Sequence, residues 1–144
     1  MTVSKARLCV VALFVALLAG ACGGDDGGLS GAKARYVAQV DPICAELQAQ
    51  IGTLGENPEE QARQVEEAVN RIRGISKPAE DSERADVFIA AMENLYLSLQ
   101  DVHQSRLVND QPRAQRALEG AQANARRVAD AAKEYGMVVC REEL

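Results

Sequence analysis

Few residues in this chain are of a type and spacing that perform chemistry. There is one histidine, His103, beside Val102 in a helical pattern. A metal site takes several His, Cys or carboxylate ligands together, and His103 has no second histidine or neighbouring thiol, so no metal site is expected. Carboxylate metal bundles carry Glu-x-x-His on paired helices, a motif this chain lacks. The acid pairs Glu59-Glu60 and Glu66-Glu67 have the composition of a general acid/base site, but a solvated helix face accounts for them. Glu67 and Arg71, and Asn70 and Arg73, stand at helix-neighbour spacing as surface groups. No Gly-x-Ser-x-Gly turn displays a nucleophile. The run Gly23-Gly24-Asp25-Asp26-Gly27-Gly28 is not followed by the Lys-Ser/Thr of a phosphate loop. Tyr36, Tyr96 and Tyr135 read as half-buried rim residues, with the lining of a groove as the alternative. No catalytic residue and no cofactor is expected. The remaining chemistry belongs to four cysteines: Cys9, Cys22, Cys44 and Cys140.

Their positions relative to the N-terminal leader divide them. Lys5 and Arg7 form a basic start, and Leu8 to Ala21 is apolar apart from the small Gly20. That run has the length of a signal h-region and falls short of the about 20 residues a membrane span needs. Leu17-Leu18-Ala19-Gly20-Ala21-Cys22 resembles the lipobox of bacterial lipoproteins, with Ala19 in place of the usual large aliphatic residue and Leu18 one position further back. The resemblance implies cleavage before Cys22 and a diacylglyceryl group on its sulfur. The alternative is an ordinary secretory signal cut nearby, which leaves Cys22 as a free thiol. The Gly/Asp run after Cys22 is a solvated tether with nothing to pack, which favours the anchor. The expected organisation is a signal peptide over residues 1–21, a lipidated cysteine and tether over 22–31, and a domain over 32–144.

On this reading Cys9 leaves with the leader and Cys22 carries lipid. Cys44 and Cys140 are then the only pair left, and outside the cytoplasm such a pair oxidises to a structural disulfide. A redox-active pair would want close spacing such as Cys-x-x-Cys. The chain carries 21 acidic against 16 basic residues, a formal charge of −5. No basic stripe exists, so nucleic acid is not an expected partner. An acidic domain gains nothing from an anionic membrane surface, so the lipid on Cys22 must do the anchoring.

Four helical stripes must position these residues. Val37, Val40, Cys44, Leu47, Ile51 and Leu54 alternate three and four apart. Asp41-Pro42 interrupts this stripe: either a new helix starts with Asp41 as its N-cap, or one long helix kinks, and the unbroken periodicity favours the latter. Asn57-Pro58-Glu59-Glu60 starts a second helix, with Asn57 as cap and Glu60 placed for a capping box. Ala62, Val65, Ala68, Val69 and Ile72 form its stripe, and Gly74 stops it. A third helix carries Ala85, Phe88, Met92, Leu95, Leu99 and Val102. After an Asp110 cap a fourth runs on Ala114, Leu118, Ala121, Ala125, Val128, Ala132 and Tyr135, ending at Gly136. Met137-Val138-Val139-Cys140 is an apolar tail that must cover something, and residues 141–144 are expected to fray. The pattern predicts an all-α fold, an antiparallel up-down-up-down four-helix bundle. In that topology the end of the fourth helix comes near the start of the first, so the tail can reach Cys44.

Three stretches carry a further resemblance: Tyr36-Val37-Ala38-Gln39-Val40-Asp41-Pro42-Ile43-Cys44, Lys77-Pro78-Ala79-Glu80-Asp81 and Tyr135-Gly136-Met137-Val138-Val139-Cys140. Together they resemble a group of small lipoproteins and secreted proteins of high-GC Gram-positive bacteria. The resemblance implies a helical extracytoplasmic domain with one disulfide and assigns no catalytic residue. The function expected is that of a non-enzymatic module on the outer face of the cell membrane, binding an envelope protein or a small ligand. An enzyme whose site the sequence does not display and a purely structural envelope protein are the alternatives. Ala121, Ala125 and Ala132 on the thin face of the fourth helix leave room for a groove, although close helix packing accounts for them as well.

Overall fold

The first helix, α1, runs without a break over Gly31–Leu54 and contains Pro42. Pro42 cannot donate to the carbonyl four residues back, yet the helix does not restart there. Of the two readings of Asp41-Pro42, the single helix is the one observed. The computed structural model describes residues 31–142. The signal peptide, the lipidation at Cys22 and the tether before Gly31 lie outside the described residues, as do residues 143 and 144. Gly31, expected to belong to the tether, is the first residue of α1.

Helix α2 spans Pro58–Arg73, α3 spans Ser82–Leu107 and α4 spans Gln111–Tyr135, with a short 3-10 turn at Ala79–Asp81. Among the described residues there is no strand. The boundaries follow local chemistry. Asn57 Oδ1 accepts from the Glu60 amide at 3.3 Å, and Asp110 Oδ1 from the Arg113 amide at 3.0 Å, so both helices begin on a side-chain cap followed by proline. The return arm expected of Glu60 goes elsewhere: its carboxylate is taken by Arg63 and Gln64. Helix α4 ends in a Schellman turn. Gly136 is left-handed at φ 95°, its amide reaches the Lys133 carbonyl, and the Met137 amide reaches Ala132. Gly74 ends α2 with ordinary right-handed angles, so its freedom at positive φ is not used there.

The core follows the predicted stripes closely on α2 and α3. All five apolar positions named on α2 are buried, and so are all six on α3. On α1 and α4 the buried face is displaced. Tyr36 and Ile43 join it while Ile51 and Leu54 are only half-buried, and Ala117 joins it while Leu118 and Ala125 are half-buried. Cross-helix bonds fix the order of the elements. Arg71 meets Glu46, Arg73 meets Glu93, Lys77 meets Asp86, and Arg113 meets Asp101. Asn124 Nδ2 donates to Ser98 Oγ at 2.7 Å and to the Asn94 carbonyl at 3.2 Å. Where two or more such bonds join neighbours, from Arg73 and Lys77 to α3 and from α3 to α4, the partners run in opposite order along the chain. Arg71 and Arg73 are exposed as the surface reading expected, and their acids come from other helices. Helix α4 lies most extensively along α3, α3 along α2, and α2 along α1; no comparable backbone contact joins α1 to α4.

The seam between α1 and α4 is closed by side chains. The Tyr36 and Tyr135 rings meet at 5.5 Å, and Lys33 Nζ sits 4.7 Å over the Tyr135 ring while pairing with Asp81 at 3.3 Å. Both tyrosines are 1% exposed, which corrects their reading as rim residues. A wide seam needs large side chains, and these are the ones at its chain-terminal end. Met137 is buried in the core, whereas Val138 is 55% exposed, so only part of the tail covers the core.

Candidate functional site

Cys44 and Cys140 are bonded, with Cα atoms 5.2 Å apart. Both are buried against the core. The tail that carries Cys140 is held by more than sulfur. The Asp41 carboxylate accepts from the amides of Val138 and Val139 at 3.2 Å each and from that of Cys140 at 3.5 Å. Gln48 Nε2 donates to the carbonyls of Val139 and Glu142 at 3.1 and 3.3 Å. Asp41 therefore serves the far end of the chain instead of starting a helix. The same contacts hold Arg141 and Glu142 in a turn where fraying was expected. The spacing of Asp41, Cys44 and Gln48, three and then four apart, was the available signal, since it puts all three on one face of α1.

The other chemistry-bearing residues are dispersed. His103 Nε2 lies 3.9 Å from Glu59 Oε2, with its side chain partly covered and that of Glu59 at 73% exposure. Bonds from Arg63 and Gln64 hold the Glu60 carboxyl at about 2, well below the usual carboxylate range. A general acid working near neutral pH needs the opposite shift. Glu66 and Glu67 are exposed, and Glu67 pairs with Arg63 at 3.7 Å. Tyr96 is half-buried and bonded to Gln100. Among the described residues no three His, Cys, Asp or Glu side chains converge as metal ligands. Nor is any described helix long and apolar enough to cross a membrane.

Besides one of about 340 Å³ lined by Arg84, Val87, Ala131, Glu134 and Tyr135, two concavities flank α4. The larger, about 590 Å³, lies between α3 and α4 and is open. Much of its polar lining is already engaged across the two helices: Arg113 with Asp101 at 2.5 Å, and Asn124 with Ser98 and Asn94. The smaller, about 160 Å³, is apolar and takes residues from all four helices: Ile51, Leu95, Leu99, Leu118, Ala121 and Ala125, with Gln61 and Gln122 completing the wall. It lies at the opposite end of the α1–α4 seam from the tyrosine pair. Ala121 and Ala125 line it as the thin face of α4 suggested. Ala132 does not, being fully buried in the core. Six apolar side chains make up most of this notch, and its Gln61 is bonded outward to the Gly55 carbonyl at 2.7 Å, so an apolar guest displaces water without taking a polar group from its partner. Comparison with protein families, with characterised proteins and with solved structures finds no match.

Proposed function

We propose that this chain is a lipid-anchored extracytoplasmic protein of the cell envelope, held by a diacylglyceryl group on Cys22, that acts as a non-enzymatic binding module. Its domain is an antiparallel up-down-up-down bundle, a reading supported by the opposite order of the cross-helix pairs. The extracytoplasmic address is supported by the lipobox-like stretch and by a disulfide of the kind that persists in oxidising compartments. The binding role rests on one observation, the apolar notch of about 160 Å³ walled by Leu118, Ala121 and Ala125 of α4. A dry apolar cavity of about 150 Å³ accepts a benzene-sized guest. The notch, of similar volume but open to solvent on one side, suits one small apolar group, such as a side chain presented by an envelope protein or the apolar end of a small ligand.

Benzene is the direct probe. Added to the full chain, it should raise the melting temperature saturably and shift the methyl resonances of Leu118 and Ile51. Ala125→Leu, which fills the notch from a half-buried position, should fold and lose both responses. A wild-type chain indifferent to benzene would refute the binding role. The anchor has a separate test. Cys22→Ser should leave the membrane fraction or accumulate unprocessed, and unchanged fractionation and mobility would show that no lipid is attached there.

A further inference from the structure

Beyond Gly136 the chain turns back across α1, where three side chains on one face receive it. Asp41 accepts from three successive amides, Cys44 is bonded to Cys140, and Gln48 donates to two tail carbonyls. A carboxylate on main-chain N–H groups makes charge-assisted bonds, and successive amides form a concavity suited to an anion. Of the three attachments only Cys44 needs oxidation. The two cysteines are 3% and 2% exposed, so an external thiol reaches the bond only when the tail lifts.

We propose that Asp41 and Gln48 form a non-covalent latch that docks the tail before the disulfide exists, sets Cys140 opposite Cys44, and afterwards controls access to the bond. Asp41 is a positioning residue: it acts through the amide of Cys140 and touches neither sulfur. The oxidant is a disulfide, either a small molecule or a thiol–disulfide oxidoreductase. One cysteine thiolate attacks it and releases one reduced thiol. The second cysteine thiolate attacks the mixed disulfide, closes Cys44–Cys140 and releases the other. The pair gives up two electrons and two protons, and the oxidant's disulfide becomes two thiols. The latch acts on the second step, whose rate follows the local concentration of one sulfur about the other. This inference is independent of the apolar notch.

The test equilibrates the full chain with glutathione and glutathione disulfide and reads Cys44 and Cys140 by alkylation and peptide mapping. Asp41→Ala should lower the closing constant about 10- to 100-fold, the net value of one or two bonds to a charged acceptor. Gln48→Ala should lower it about 3- to 10-fold. Reduction by dithiothreitol should accelerate in the same order. Glu46→Ala, which removes an exposed acid of the same helix that is bonded to Arg71, should stay within about twofold. A second readout separates docking from general stability. In the chain carrying Cys44→Ser and Cys140→Ser, the amides of residues 138–140 should remain protected from hydrogen exchange, and adding Asp41→Ala should expose them while the helices stay protected. If Asp41→Ala does not fold, Asp41→Asn, which keeps one acceptor oxygen, should show an intermediate loss in both readouts. Closing constants equal within about twofold, or amides 138–140 that exchange freely in the cysteine-free chain with Asp41 present, would overturn the latch.

Discussion

Raising the pH should unfold this protein through two of its three tyrosines. Burial pushes the Tyr36 and Tyr135 phenols up from 10.0 to about 12, with the acids Asp86 beside Tyr36 and Asp81 and Glu80 beside Tyr135 adding to the rise. A tenfold change in an ionisation constant corresponds to about 1.4 kcal/mol. Below pH 10 both states hold the proton and stability does not depend on these groups. Above it the unfolded chain ionises and the folded one does not, so stability falls as pH rises and is lost through the folded value near 12. The loss approaches about 2.7 kcal/mol per tyrosine. The pair loses less than about 5 kcal/mol, because the Tyr36 charge is itself one of the causes holding Tyr135 up. Against the about 5–15 kcal/mol of an ordinary domain this suffices to bring the unfolding transition into the alkaline range. The assay follows phenolate absorbance and the far-ultraviolet helical signal together. Two tyrosines should ionise in one co-operative step that coincides with loss of helix. With Tyr36→Phe and Tyr135→Phe combined the alkaline step should disappear. Neither buried hydroxyl has a partner among the described residues, so the same variant should be more stable at neutral pH by about 1 kcal/mol per hydroxyl. Full ionisation centred near pH 10 with the helices intact would refute the burial of this pair.

Two further expectations concern the core and its staple. Leu95→Ala should cost about 2–5 kcal/mol, since Leu95 is buried on α3; Glu93→Ala removes only an exposed pair with Arg73 and should cost about 0–1 kcal/mol. Equal melting shifts for the two would contradict the packing. Cys44→Ser opens a loop of sequence separation 96 and should lower stability by about 4–5 kcal/mol on the chain-entropy account. Denaturant unfolding measures the difference, and an unchanged midpoint would show that the bridge does not constrain the unfolded chain.

The stripes on α2 and α3 were legible because each of those helices packs on its neighbours along one narrow face, so a three-four alternation names the buried side. The caps at Asn57 and Asp110 and the left-handed Gly136 were legible because they depend on residues within three or four positions. The apolar notch was partly legible, since Ala121 and Ala125 are small wherever α4 points, but Ala132 carries the same letter and lies in the core. What decides among these alanines is where each falls along the α1–α4 seam, which no local pattern encodes. The N-cap alternative for Asp41 stayed open beside the favoured single helix for a related reason. Asp before Pro is a helix-start signal in any sequence, and the amides that claim its carboxylate lie 97 to 99 positions away. Tyr36 and Tyr135 were misread because a phenol suits a boundary between apolar body and wet tip, the place Tyr96 does take. Here the width of the seam, set by helices in which neither tyrosine is central, takes the whole ring inside.

One asymmetry connects these features. The alanine-rich face of α4 lets that helix lie close along α3, and the closeness leaves α4 distant from α1. A gap between helices must be filled by large side chains, by extra chain or by nothing, and this protein uses all three along one seam. At the end where α1 begins and α4 finishes, Tyr36, Tyr135 and Met137 supply the volume, and the tail is bound across the opening by Asp41, Gln48 and the disulfide. At the other end α1 offers the half-buried Ile51, and α4 offers Leu118, Ala121 and Ala125, which is too little bulk to meet across the same distance. The notch is the remainder. The staple and the apolar notch thus have a common origin: a residue that drew α4 towards α1 to close the notch would also shift the surface on which the tail docks. An apolar guest adds the missing bulk without that shift, and this is the physical reason to place the binding role at the unfilled end of the seam.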